Sequence, residues 1–207
     1  MDGLVLPVVV FLAICLALAL IHTRGRGAVP VVLRAWDALR VRKLLQLELP
    51  RSHYTILQDV QIPGDRESIH IDHLVISAYG IFAIKQVGGS GTIVGKPSDA
   101  RWFRIGRRNA RSFPNPLFEC VAAVNALRSL LDLDARLLNF VLVFTGDVKF
   151  SSPMPVNVTR LDGLPLFIEG RDKLLIDFDE LPKLVDRIHA ARPALRLLRN
   201  PIRAATS

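Results

Sequence analysis

The chain has 207 residues, half of them hydrophobic, and its 27 lysine and arginine residues against 19 acidic ones give a formal net charge of +8. This length allows one ordinary domain with an appendage, and the charge favours anionic partners: nucleic acid, anionic lipid, or both. Its 2 cysteines, Cys15 and Cys120, exclude a disulfide framework or a cysteine metal cluster. Both are predicted to be small buried hydrophobic residues.

The N-terminal segment is the longest uncharged stretch, and residues 4–21 read LVLPVVVFLAICLALALI. As a helix this segment would extend about 27 Å, close to the roughly 30 Å of a bilayer core. The acidic start and the lack of a cleavage-site pattern favour a retained anchor, residues 1–23, over a secretory signal peptide. Basic residues follow the segment and none precedes it. This asymmetry predicts a single pass through the inner (cytoplasmic) membrane, with the C-terminal domain in the cytoplasm.

A linker is predicted at residues 24–35, and the elements after it follow helical and strand patterns. Apolar residues at helical spacing predict a helix over residues 31–49, which Pro50 ends. Apolar stretches bounded by turn residues predict an antiparallel meander. Its strands are predicted over residues 54–62, 69–76 and 80–87. The next stretch, GGSGTIVG, is predicted to be flexible, and a short strand is predicted at residues 102–105.

The second half of the chain continues the α/β pattern. Asn115 is a suitable N-cap and Pro116 a suitable first residue for an amphipathic helix. A continuous apolar run predicts an interior strand at residues 137–144, and LPLFIEG predicts another short strand. A final helix is predicted over residues 181–199, with an interruption at Pro193. The order of elements predicts one α/β domain with a mixed sheet over residues 36–170, followed by a basic helical segment over residues 171–207.

An ordered set of sequence blocks runs through this domain. The blocks are IDHLVIS at 71–77, GIFAI at 80–84, Gly91 and Gly95, Trp102, NPL at 115–117 and VLVFTGDVKF at 141–150. Together they resemble the nuclease-related domain (NERD) family, whose members resemble the PD-(D/E)XK restriction-endonuclease superfamily. The resemblance covers about residues 36–168. It implies a restriction-endonuclease-like mixed β-sheet flanked by helices, here preceded by the predicted transmembrane helix.

The resemblance also implies a site. In the family, an aspartate from one strand and Glu-x-Lys from the next hold Mg²⁺ and assist the attacking water. Asp72 matches the aspartate, whereas Lys85 and Val87 stand in the places of the glutamate and the lysine. Residues two apart on a strand share a face, so Lys85 projects towards Asp72 and predicts a salt bridge better than a metal site. His73 also matches the family, either as a catalyst or as a hydrogen-bonded structural residue.

Glu119 stands where the family has a glutamine, in the block that opens the helix. It is a candidate for a displaced second carboxylate, and the alternative is that it only stabilises the first helical turn. The candidate catalytic residues are therefore Asp72, Lys85 and Glu119, and Asp72 is the candidate ligand for Mg²⁺ if the protein is active.

The segment RWFRIGRRNARSF interleaves basic and aromatic residues. The candidate nucleic-acid-binding residues in it are Arg101, Arg104, Arg107, Arg108 and Arg111. Such a pattern suits phosphate contact together with base stacking. The alternative is a solvated loop whose aromatic residues, Trp102 and Phe113, belong to the core.

These patterns favour a membrane-anchored NERD protein that acts on or near DNA with a degenerate, weak or inactive metal site. One alternative is an active Mg²⁺-dependent DNA endonuclease with a rearranged site. Another is a non-catalytic, membrane-tethered interaction scaffold. The sequence alone leaves open whether the protein cleaves DNA, which substrate it prefers and how it assembles.

Overall fold

The computed structural model describes residues 28–64 and 67–198, and the side chains of residues 34–64 and 67–191. The chain divides into two compact units, residues 1–39 and residues 40–207. The predicted anchor at residues 4–21 lies outside the described residues. Within the described ranges, every helix is too short or too polar to cross a bilayer.

The described chain contains four α-helices and nine β-strands. They are α1 (Ala28–Glu48), β1 (Tyr54–Ile62), β2 (Ile69–Ser77), β3 (Gly80–Val87), β4 (Gly91–Val94), β5 (Arg101–Ile105), β6 (Ala110–Pro114), α2 (Pro116–Leu131), β7 (Leu138–Phe144), β8 (Val148–Phe150), β9 (Val158–Arg160), α3 (Leu164–Glu169) and α4 (Leu181–Leu198). Single 3-10 turns lie at Ala135–Leu137, Leu161–Gly163 and Phe178–Glu180.

The larger sheet has the strand order β1-β2-β3-β7-β9. The first three strands form the antiparallel meander that the sequence predicts, with tight pairing such as Ser77 opposite Gly80. Strand β7 runs parallel to β3 on one side and to β9 on the other. Its interior position agrees with its continuous apolar sequence, because a strand covered on both faces has no polar side to present.

Helices cover both faces of the larger sheet. On one face, Leu74 and Ile81 of the meander pack with Leu127 of α2 and Ile188 of α4. On the other face, Phe82 of β3 belongs to a cluster that includes residues of α1 and α3. The side chains from these two helices are Val41 and Leu45 of α1 and Leu164 and Ile168 of α3. The result is a mixed α/β fold with helices on either side of the sheet, in agreement with a nuclease-like fold.

The smaller sheet has the strand order β6-β5-β4-β8 and contains the sequence that follows the meander. Strands β4, β5 and β6 are antiparallel neighbours, and β8 runs parallel to β4. Trp102 is fully buried and donates its indole N–H to the carbonyl of Lys96 at 2.8 Å. Gly95 has a φ of 158° and a Cβ there would collide with the Trp102 ring, which explains why a glycine stands at this position.

Three predicted elements differ from the structure. The stretch predicted to be flexible contains β4, which pairs with the next strand, β5, and with β8 from a distant part of the chain. The predicted strand LPLFIEG is helix α3, in which Leu164 and Ile168, four residues apart, are buried on one side. The final helix continues through Pro193, since one missing backbone hydrogen bond does not end it here. Strands β6, β8 and β9 have no counterpart in the sequence prediction.

Candidate active site

Asp72 and Lys85 meet because they occupy facing positions on neighbouring strands. The pairing of His73 with Ile84 places Asp72 of β2 opposite Lys85 of β3. The distance from Lys85 Nζ to Asp72 Oδ2 is 3.9 Å, and the two side chains are only 21% and 15% exposed. The predicted salt bridge between these residues is therefore present, although it is the longer of the two that Lys85 makes.

Helix α2 brings the second carboxylate to this point. The Asn115 side chain accepts a hydrogen bond from the Leu117 N–H at 3.0 Å and donates to the carbonyls of Pro97 and Asp99. This buried cap fixes the start of α2 over the sheet. Glu119 lies in the first turn, and its Oε2 is 2.7 Å from Lys85 Nζ. The structure thus brings together all three candidate catalytic residues around one ammonium group.

The three side chains do not fit a Mg²⁺ ion. Mg²⁺ requires oxygen ligands in near-octahedral geometry at about 2.1 Å. Here the two carboxylates already share the Lys85 ammonium, with Oε2 of Glu119 in direct contact. Two unit charges of like sign 4 Å apart repel by about 4 kcal/mol near a protein surface. In the described part of the chain, no group of three or more histidine, cysteine or acidic side chains is arranged to hold a metal ion.

A second set of polar contacts extends from Asp72 across β2 and β1. The backbone N–H of Gln86 donates to Asp72 Oδ2 at 2.9 Å. His70 Nδ1 lies 3.6 Å from Asp72 Oδ1, and His70 Nε2 lies 2.7 Å from Asp59 Oδ1. Asp59 has a φ of 49°, an uncommon value within a strand. Asp72 therefore has polar neighbours on both oxygens.

Neither His70 nor Asp59 was among the candidates from the sequence. His70 precedes Asp72 by two positions in β2, so strand periodicity could have placed both side chains on one face. Asp59 could be found only from the register of β1 against β2, in which Gln58 faces His73 and Val60 faces Ile71.

His73 and Cys120 are poor candidates for chemistry at this site. His73 is 1% exposed and its Nε2 lies 3.3 Å from Gln86 Oε1, on the face opposite Asp72. Burial lowers the pKa of His73 below its usual 6.5, although Gln86 and Asp72 act in the opposite direction. Burial raises the pKa of the Cys120 thiol to about 12, so it remains protonated and behaves as a small hydrophobic residue.

The candidate nucleic-acid-binding arginines fall into two classes. Arg104 lies half-buried over the Phe113 ring, 5.4 Å from its centroid, and burial lowers the pKa of its guanidinium. The others are exposed: Arg101 on β5, Arg107 and Arg108 in the turn after it, and Arg111 on β6. None of the salt bridges between described residues involves any of the five.

The aromatic residues of the same segment are also divided. Trp102 is fully buried and Phe113 packs against it edge-on, as the core alternative predicts. Phe103 is 49% exposed. Of these three aromatic side chains, Phe103 is therefore the one whose ring a base could contact.

Residues 34–145 match the sequence model of the nuclease-related domain, which is more than half of the chain. The chain belongs to the nuclease-related domain (NERD) family. It is also 30% identical over 100 residues to an uncharacterized protein of Bacillus anthracis, an alignment that covers 48% of this chain and 46% of that protein. The chain thus spans about half the length of this relative. No solved structure matches the chain significantly.

Within this NERD domain, the matched residues include both sides of the candidate site. Asp72, Lys85 and Glu119 all lie between residues 34 and 145, as do strands β5 and β6 of the smaller sheet. The NERD assignment therefore covers a nuclease-like fold and its site region, in which a lysine faces the aspartate.

Proposed function

We propose that this NERD protein binds nucleic acid at the inner membrane and that its nuclease-like site does not cleave. The observation that carries the proposal is the position of Lys85 Nζ, 2.7 Å from Glu119 and 3.9 Å from Asp72. The ammonium lies between the two carboxylates that would have to bind a divalent cation, and it offsets one of their two negative charges. Without that cation, the attacking water and the leaving oxygen of a phosphodiester have no Lewis acid to stabilise them.

Binding to nucleic acid is supported by the charges outside the site. The exposed arginines of the smaller sheet make no salt bridge among the described residues and remain available for phosphate groups. Each phosphate that a basic side chain neutralises releases counterions, so binding should weaken steeply with salt. The nuclease-related family assignment makes nucleic acid the natural anionic partner.

The membrane part of the proposal rests on residues 4–21, which contain no charge and are followed by Arg24 and Arg26. These residues anchor the chain in the inner membrane with the NERD domain on the cytoplasmic side. The full chain should stay in the membrane fraction after alkaline carbonate washing, and deletion of residues 1–23 should release it. Recovery of a processed, soluble periplasmic form would contradict the anchor.

The activity is tested with the full chain in a non-ionic detergent. Supercoiled plasmid is incubated with the protein and Mg²⁺ or Mn²⁺, and binding is followed in parallel by mobility shift. We expect salt-sensitive binding and intact plasmid. Metal-dependent cleavage that Asp72→Ala abolishes without unfolding the protein would establish the active endonuclease instead. A protein that neither binds nor cleaves DNA would favour the membrane-tethered scaffold.

A further inference from the structure

One face of the smaller sheet is uncovered and combines apolar with basic side chains. Along β5, Arg101, Phe103 and Ile105 alternate with the inward-facing Trp102 and Arg104. The outward residues are exposed, with Phe103 at 49% and Ile105 at 47%. Two large hydrophobic side chains and a basic one thus share the exposed side of one strand.

The register extends this face to the neighbouring strands. Val94 of β4 lies beside Phe103, and Thr92 of β4 lies between Ile105 and Lys149 of β8. Arg101 and Ile105 are about 13 Å apart along β5, and Phe103 lies between them. Arg101 therefore lies at one end of the apolar side chains, and Lys149 lies at the other end, near Ile105. We call the surface formed by Arg101, Phe103, Ile105, Val94 and Lys149 the outer face.

The charge of the sheet has a single sign. Strands β4, β5, β6 and β8 contain no aspartate or glutamate, and their basic residues are Arg101, Arg104, Arg111 and Lys149. The turn from β5 to β6 adds Arg107 and Arg108. A surface with apolar rings between cations is complementary to a chain of phosphates that carries exposed bases.

The inner face of the sheet gives this surface a rigid base. Ile93, Trp102 and Val148 are between 0% and 1% exposed and pack with residues of α2 and β7. Arg104 stacks on Phe113 on the same inner side and is held away from the outer face. Phe103 is thus presented by a strand whose position is fixed, which limits the entropy lost when a base stacks on its ring.

We infer that the outer face binds single-stranded nucleic acid, with a base stacked on Phe103 and phosphates contacted by Arg101 and Lys149. This inference rests on the proposed function, because it names the substrate class of a nucleic-acid-binding protein. Unpaired bases offer their faces for stacking, whereas a duplex stacks its bases on one another and presents only phosphates, sugars and the base edges in the grooves. The apolar side chains at the centre of the outer face therefore favour single strands over duplex.

The test uses the full chain in a non-ionic detergent and a fluorescein-labelled oligo(dT) of about 20 nucleotides, a length that covers the site sizes of single-strand-binding surfaces. Affinity is measured by anisotropy at several salt concentrations, for wild type and Phe103→Ala. We expect Phe103→Ala to weaken binding roughly 5- to 150-fold, the usual range for a lost stacking contact, and to leave the salt slope unchanged. A duplex of the same length should bind more weakly and be indifferent to the substitution.

The matched control is Phe118→Ala, since Phe118 is 54% exposed but lies on α2. It should bind oligo(dT) like wild type. Thermal unfolding of each variant distinguishes lost binding from lost folding. Phe103→Trp keeps an aromatic ring at this position, so it should bind oligo(dT), and stacking of a base should quench the fluorescence of the new tryptophan. If Phe103→Ala unfolds the protein, Phe103→Trp still tests whether a base stacks at this position. Bound oligo(dT) that does not quench the new tryptophan would overturn the inference.

The remaining outcomes separate the inference from the proposed function. Tight duplex binding with no effect of Phe103→Ala overturns the single-strand inference and leaves nucleic-acid binding standing. No binding of either DNA overturns both. If the fluorescence of Phe103→Trp shifts to the blue with phosphatidylglycerol vesicles and is unchanged by oligo(dT), the outer face contacts lipid and the inference fails. Plasmid cleavage with Mg²⁺ would refute the non-cleaving function alone.

Discussion

The two sheets of this protein use charge in opposite ways. In the larger sheet, charges of both signs form a connected group in which Lys85 bridges Glu119 and Asp72 and His70 connects Asp72 to Asp59. Lys85 and Asp72 are mostly shielded, and the other three side chains are more exposed. In the smaller sheet, the strands carry basic residues and no acidic ones. The charges of the first group are paired with one another, whereas the basic side chains of the second make no salt bridge among the described residues.

This difference shows that an aspartate can keep its strand position in a nuclease-like fold while its charged neighbours change. An aspartate of a NERD domain keeps its strand position, yet the cation that it faces belongs to the protein itself. Lys85 offsets only one of the negative charges of Asp72 and Glu119, so this cluster does not attract a polyanion, and the proposed binding of nucleic acid depends on charges elsewhere. Substitutions confined to one of the two regions should therefore leave the properties of the other unchanged.

The largest effect is expected from Lys85→Glu, which places a third negative charge beside Asp72 and Glu119. Breaking a buried ion pair costs on the order of 3–5 kcal/mol of unfolding free energy. Because the Lys85 side chain is mostly shielded from water, the loss of unfolding free energy in Lys85→Glu should approach that range. Chemical unfolding of the full chain in detergent, with EDTA or with Mn²⁺, measures it. We expect Mn²⁺ to recover part of the loss, since the site would then have the charge to bind a divalent cation.

The matched control for this charge reversal is Lys149→Glu, at an exposed position on the smaller sheet. It should change stability by less than about 0.5 kcal/mol. Combining Lys85→Glu with Val87→Lys restores the family residues on one strand face and should strengthen the response to metal. Equal stability of Lys85→Glu and wild type would show that the ammonium does not hold the cluster together.

Asp72→Ala should come next, with a loss of about 2–3 kcal/mol, because the Gln86 N–H loses its acceptor and Lys85 loses one of two partners. Asp72→Asn keeps an oxygen acceptor and should lose less. Glu119→Ala removes the shorter ion pair, but Glu119 is 59% exposed, so water screens it and the loss should stay within about 1 kcal/mol. A reversed order of Asp72→Ala and Glu119→Ala would contradict the assignment of Asp72 as the more strongly held carboxylate.

A change in the smaller sheet should affect binding rather than stability. Replacing both Arg107 and Arg108 by glutamine should lower the affinity for duplex DNA roughly ten- to a hundredfold at 0.1 M salt and reduce the salt slope by about 1.8, or 0.9 for each lost phosphate contact. Titration at several salt concentrations gives both values. The control is Arg136→Gln with Arg160→Gln, which removes the same charge from exposed positions in other elements. An unchanged slope would assign Arg107 and Arg108 to solvent.

The smallest effect concerns pH. Burial lowers the pKa of His73 below 6.5 in the folded chain, so the unfolded chain binds a proton more readily as the pH falls. The neutral imidazole therefore contributes stability that is present above pH 6.5 and is lost below it, by at most about 1.4 kcal/mol per pH unit. His73→Asn should flatten the stability profile between pH 6.5 and 5. A profile as steep as that of wild type would place the acid sensitivity at another group.

The strands of the meander and helix α2 could be predicted from the sequence because their signals are local. Apolar stretches and the turn residues between them define β1, β2 and β3, and Asn115 with Pro116 marks the start of α2. Strand β4 was not predicted because it contains glycine and gains its stability from β5 and β8. Helix α3 was predicted as a strand because a six-residue apolar run has no reliable period of its own.

The sequence by itself determined which residues face Asp72 along the meander, since pairing across a tight turn fixes the register of β2 and β3. It also determined that lysine stands there in place of a carboxylate. Only the tertiary structure decided that Glu119 reaches Lys85, because this depends on how α2 packs across the sheet. The same is true of the division of the basic segment into a buried side with Trp102 and an exposed side with Phe103. Burial of one face is a property of the assembled core, and no local pattern of alternating arginine and aromatic residues specifies it.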